Sequence, residues 1–128
     1  MNEILQGIAA ASRGAVRTDE TGTLVGRYLF TESFVGFSGH FPDYPILPAI
    51  VEILTVITLV GEAAGQRQRL VAVEDAKFLS PVRPDQELMV RCRQRMVKGK
   101  LYHDAQLTVG ETTAASLLLE LAPFGEQP

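Results

Sequence analysis

The stretch that decides the fold is 49–64, AIVEILTVITLVGEAA. It is too long for a strand and reads as a helix from Ile50 to Ala64, and Pro48 stands where a helix start tolerates its missing N–H. Its apolar residues do not gather on one stripe, so this helix needs cover on nearly every side. A curved sheet wrapped round it supplies most of that cover, and a second subunit is expected to supply the rest, because one short sheet encloses only part of a helix surface. The segment falls short of the roughly 20 residues that span a bilayer and carries Glu52 and Glu62, which reads as a buried helix and no membrane partner.

The flanking sequence supplies the sheet. Ile4, Leu5, Ile8 and Ala9 recur at helical spacing, so a short amphipathic helix is expected over the first dozen residues, ended by Gly14. GAVRTDETGTLVGRYLFT, 14–31, holds two extended runs around the turn-forming DETG and predicts a hairpin. The Gly- and Pro-rich 32–48 is an ordered loop. After GQRQR the pattern turns to strands near 70–79, 87–97, 100–109 and 112–121, with KGK and GET as tight turns. Within 87–97, Leu88, Val90 and Cys92 face one way, with Met89, Arg91, Arg93 and Arg95 opposite. Within 101–109, Leu101, His103, Ala105, Leu107 and Val109 share a face, opposite Tyr102, Asp104, Gln106 and Thr108. The expectation is one α+β domain, 1–128, a helix-led segment followed by an antiparallel meander, with a loose tail over 123–128.

The 128 residues carry a formal net charge of −3, which argues against a nucleic-acid partner. The single cysteine, Cys92, leaves no intramolecular disulfide and no cysteine metal site and suits a reducing, cytoplasmic compartment. The N-terminal MNEILQGIAAASRGAV lacks the basic start and apolar core of an export signal. Without a P-loop, dinucleotide fingerprint or metal-ligand spacing, no cofactor and no metal are expected.

The chemistry is carried by SGHFPDYPILPAIVEIL, 38–54. His40 lies just upstream of helix-start amides, which stabilise negative charge developing on a carbonyl oxygen. A loop histidine that only holds the prolines in place is the other reading. Two motifs then point to a family. GHFPDYPILPAI resembles the HFP-x-x-P-x-(M/L)-P-G signature of bacterial (3R)-3-hydroxyacyl-acyl-carrier-protein dehydratases, and AKFLSPVRPDQEL, 76–88, resembles their later A-R-F-x-x-P-V-x-P-G-D-x-L segment. The similarity covers about 24–121. It implies the hotdog fold, a long central helix wrapped by a curved antiparallel sheet. It also implies His40 as the catalytic histidine, with Phe41, Pro42, Pro45, Leu47 and Pro48 shaping its loop. The backbone amide of Ala49 would hold the thioester carbonyl, although the family has glycine there. An acyl tunnel lined by Val51, Leu54 and Ile57 is implied as well.

One departure bears on the mechanism. The family places an acid fourteen residues after the histidine, where it meets the partner subunit's histidine, and this chain has Leu54. Glu52, the possible substitute, points nearly the opposite way on a helix; it reads either as the acid after a local shift or as a first-turn carboxylate favoured by the helix dipole. His103 and Cys92 read as packed strand residues. Arg91, Arg93 and Arg95 read either as contacts for the phosphates of an acyl carrier protein or coenzyme A thioester, or as a charged outer face that guards the strands. The activity implied is dehydration of 3-hydroxyacyl thioesters by a homodimer or larger assembly. The alternatives are an acyl-thioester hydrolase using Glu52, or a non-catalytic acyl-binding subunit that has lost its acid.

Overall fold

The computed structural model describes residues 2–37 and 44–125. Helix α1 spans Glu3–Ala11, and the Asn2 carboxamide caps it by accepting the Leu5 N–H at 2.8 Å. The hairpin follows as β1, Arg17–Thr18, and β2, Leu24–Leu29. Its turn is closed by Asp19, whose carboxylate accepts from Thr21 N at 2.8 Å, Thr23 N at 3.0 Å and the Thr21 hydroxyl at 2.6 Å. Only two residues of the first arm pair, fewer than the alternation suggested. After a 3-10 turn, Val35–Phe37, comes α2, Ala49–Ala64. It ends at Gly65, whose φ of 67° lets Gln66 N–H return to the Gly61 carbonyl at 3.1 Å.

The remaining strands are β3, Gln68–Phe78; β4, Glu87–Val97; β5, Lys100–Val109; and β6, Thr112–Pro123. They form one antiparallel sheet in the order β1-β2-β4-β5-β6-β3, so the expected meander over all four needs correcting. Of these four, only β4, β5 and β6 are sequential neighbours. Helix α2 crosses the concave face and delivers the chain to the far edge, where β3 pairs with β6. Register breaks at Leu70/Ala72 and Val73/Asp75 curl that edge around the helix, as bulges do. This is the α+β hotdog architecture.

The tail differs too. Pro123 closes β6, and Phe124 donates its N–H to the Arg67 carbonyl at 2.7 Å beneath the Arg67 guanidinium, so neither position is loose; 126–128 lie outside the described residues. Along β4 the predicted inward face holds, with Leu88, Val90 and Cys92 buried. Along β5 it holds for Ala105 and Leu107 but reverses at the hairpin end, where Leu101 is exposed and Tyr102, paired with Arg95, is buried. No helix among the described residues is long and apolar enough to cross a membrane.

Candidate active site

The two sequence motifs meet in space. Leu47 donates its N–H to the Val82 carbonyl at 2.7 Å, and the Arg83 guanidinium stacks 3.8 Å over the Tyr44 ring. Asp85 N–H bonds the Phe30 carbonyl at 2.8 Å. Segment 79–86 thus straps the proline loop to the sheet and fixes where α2 begins. On the other flank of the loop, the Phe34 ring packs against Phe30 and, edge-on, against Phe37. His40, Phe41 and Pro42 lie outside the described residues.

Helix α2 presents its positive end to this loop. Val51 and Glu52 N–H both bond the Pro48 carbonyl, at 2.9 and 3.3 Å, and Pro48 offers no side-chain cap. The Ala49 and Ile50 amides are therefore unpaired donors among the described residues, as expected for the first turn. Two adjacent N–H groups at a helix start suit an oxygen that gains negative charge.

From this end an apolar groove of about 730 Å³ runs along α2. Ile50, Ile53, Leu54, Ile57, Thr58 and Gly61 form its floor, a continuous stripe at helical spacing. Leu5 and Ala9 of α1 stand on one side, and Leu70 and Phe124 on the other. Of the three expected tunnel residues, Leu54 and Ile57 line the groove. Val51 does not: at 1 % exposure it belongs to the core, because it is turned from Leu54 around the helix axis toward the packed side. The contribution of α1 escaped the sequence reading, although the four-residue spacing of Leu5 and Ala9 was its signal.

Glu52 is turned by about 160° from Leu54 around the axis and faces the middle of the core. It is only 4 % exposed, and its Oε1 has no hydrogen-bond partner among the described residues. Burial drives its pKa up to about 8, which keeps it protonated at neutral pH. The local helix shift that would bring Glu52 to the position of Leu54 is not seen; α2 is regular there.

Arg91, Arg93 and Arg95 do not line the groove. Arg93 and Arg95 reach the Asp104 carboxylate at 3.6 and 3.4 Å, which partly neutralises the cluster. At the other end of α2, Cys92, Gln94 and His103 line a second cavity of about 500 Å³ with Val60 and Ala63. Burial pushes the Cys92 thiol up to about 12, which makes it a poor nucleophile. Burial also lowers the His103 pKa, and its Nδ1 has no partner among the described residues. No cluster of metal-ligating side chains occurs among the described residues.

Known proteins resemble this chain in sequence and in fold. A family model described as ApeI-like, ApeI dehydratase, matches residues 16–116. The 3-hydroxyacyl-[acyl-carrier-protein] dehydratase FabZ of Granulibacter bethesdensis is 28% identical over 109 residues, covering 73% of this chain and 64% of its own. FabZ of Acidiphilium cryptum is 30% identical over 104 residues, covering 70% and 62%. The chain thus spans just under two thirds of the length of these relatives. Among solved structures, the dehydratase heterocomplex ApeI:P from Xenorhabdus doucetiae superposes with a TM-score of 0.69 at 20% identity, covering 87% of this chain and 96% of the other. Cj0977 of Campylobacter jejuni, a sigma28-regulated virulence protein, superposes with a TM-score of 0.68 at 10% identity, covering 99% and 90%; at these identities the likeness is one of fold.

Proposed function

The chain belongs to the ApeI-like dehydratase family, and from that premise we propose that it removes water from 3-hydroxyacyl thioesters to give trans-2-enoyl thioesters. The observation that carries this reading is the pair of unpaired amides at Ala49 and Ile50 at the end of α2 where the apolar groove begins with Ile50. A thioester oxygen at those amides leaves its acyl chain lying along Leu54 and Ile57. His40 takes the proton from the carbon next to the carbonyl. The electron pair moves onto the thioester oxygen, where the Ala49 amide stabilises it. Collapse of that enolate expels the 3-hydroxyl, which leaves as water with the proton His40 took. No cofactor or metal enters these steps.

The substrate is carried by acyl carrier protein or coenzyme A. A homodimer is part of the reading, and the β3 edge supports it: Val71, Val73 and Phe78 are each more than two-fifths exposed on a strand with one unpaired side, a surface that proteins normally cover. The reduced, buried Cys92 accords with the cytoplasm. Arg91, Arg93 and Arg95 retain at most a carrier-docking role on the outer face, with Asp104 competing for two of them.

The test is hydration of a trans-2-enoyl thioester, the reverse reaction, followed as loss of the conjugated thioester absorbance. Wild type is expected to hydrate and His40→Ala to lose at least a hundredfold, the lower range for removing a general base. A second reading rests on Leu54: a related subunit in a mixed assembly brings the missing acid, and the ApeI:P structure of the same fold is a heterocomplex. It is supported if the isolated chain is inactive and a partner restores turnover. The hydrolase alternative has little footing, since Glu52 faces the core rather than the groove.

A further inference from the structure

Arg83 stands where the later family motif leaves the residue open, P-V-x-P, yet its side chain has one definite seat. The guanidinium lies 3.8 Å over the Tyr44 ring, within cation–π range, and no carboxylate pairs with it among the described residues. The base of this contact is rigid. Arg83 N–H donates to Gln86 Oε1 at 2.9 Å, Gln86 N–H returns to the Arg83 carbonyl at 3.4 Å, and Asp85 N–H bonds the Phe30 carbonyl at 2.8 Å. These three bonds hold Asp85 at a φ of 66°, a left-handed backbone that suits the glycine of the motif better. On the other side of the contact, Tyr44 is 49 % exposed, so its ring is held by the guanidinium and not by the core. It leads into Pro45-Ile46-Leu47-Pro48, a stiff segment because both prolines fix φ, and Pro48 is extended at φ −62° and ψ 146°. That segment ends on Ala49, one of the two unpaired amides at the start of α2.

From this geometry, and resting on the dehydratase reading above, we infer that Arg83 is a positioning residue: through its stack on Tyr44 it sets where the Ala49 amide stands, and so how well the thioester oxygen is held as it gains charge. The Leu47 N–H bond to the Val82 carbonyl, 2.7 Å, is one fixed point on the proline segment, and the Arg83–Tyr44 stack is the second. Two points fix its direction where one leaves a pivot. Without the stack, a swing at Tyr44 passes along the prolines to Ala49 instead of being absorbed. An amide that stabilises developing charge is sensitive to such a shift because its donor must point at the oxygen in the transition state. Binding of the acyl chain along Leu54 and Ile57 does not depend on it, so the loss falls on kcat and spares KM.

The experiment measures kcat and KM for hydration of a trans-2-enoyl coenzyme A thioester by wild type, Arg83→Met, Arg83→Lys, Tyr44→Leu, Tyr44→Phe and the Arg83→Met/Tyr44→Leu double variant, with circular dichroism as the folding control. Arg83→Met should lower kcat about tenfold at unchanged KM, short of the roughly hundredfold that a 1 Å misplacement costs. Arg83→Lys restores the cation and should recover part of the loss, and Tyr44→Phe keeps the ring face and should stay near wild type. The double variant should be no slower than Arg83→Met alone, because both changes act through one contact. A raised KM at unchanged kcat makes Arg83 a contact for the phosphates of the thioester and overturns the positioning role, as do wild-type kinetics in Arg83→Met or additive losses in the double variant. Arg83→Met leaves the backbone bonds of 82–86 in place; if it fails to fold, Tyr44→Leu, at a half-exposed side chain, decides by the same split of kcat from KM. The dehydratase reading stands in each of these cases. A wild type that hydrates nothing overturns both.

Discussion

Replacing Glu52 by Gln should stabilise the protein, and by an amount that grows with pH. The carboxyl sits in the middle of the core face of α2, 4 % exposed, with Oε1 unpartnered among the described residues. Its pKa rises from 4.5 in the unfolded chain to about 8 in the fold. The folded state therefore holds the proton more tightly, so the stability of wild type is full below pH 4.5 and is lost as pH rises toward 8. Each unit within that window costs about 1.4 kcal/mol. Relative to a side chain that never ionises, wild type is then penalised by about 0.7 kcal/mol at pH 5 and about 3.4 kcal/mol at pH 7. Urea unfolding at fixed protein concentration, across pH 5 to 8, measures this directly. The Glu52→Gln curve should pull away from wild type by about 2.7 kcal/mol between pH 5 and pH 7. Parallel curves would refute the reasoning, because they would mean that Glu52 reaches a charge partner or water when folded.

Leu54→Glu puts a carboxylate into the groove, where the family resemblance expects an acid, and should raise enoyl-thioester hydration by tenfold or more, within the range a positioned acid supplies; equal or lower kcat/KM in a folded variant counts against the active-site geometry. Gly26→Ala brings a Cβ to 2.5 Å from Leu59 Cδ1, and since Leu59 is fully buried the overpacking should cost about 1–3 kcal/mol in chemical denaturation. Leu59→Ala should cost about 3–5 kcal/mol by the same measurement; a smaller loss would show that α2 is not clamped to the sheet at that point. Val73→Lys on the exposed β3 edge should shift a dimer toward monomer in sedimentation velocity, and an unchanged sedimentation coefficient would remove β3 from the interface.

The sequence by itself determined the elements and their chemistry. A run of sixteen residues without a polar face can only be a covered helix, strict alternation in 87–97 divides that strand into a core face and a charged face, and Pro48 marks a helix start. These are local properties, read from spacing and backbone stereochemistry. The phase of α2 was legible on the same ground: residues two apart on a helix point in nearly opposite directions, which left Glu52 able to replace Leu54 only through a local shift, and the structure turns the two to opposite sides of a regular helix. Residue spacing carries no information about which strand pairs with which, so β3 passed for the first strand of a meander although α2 takes it to the far edge. Nor could alternation foresee that Leu101 is exposed and Tyr102 buried at the hairpin end, since burial depends on what lies above and below the sheet. The groove is the clearest product of tertiary structure. Its walls come from 5–9, 50–61, 66–70 and 124, positions that only the return of the chain across the end of α2 brings together.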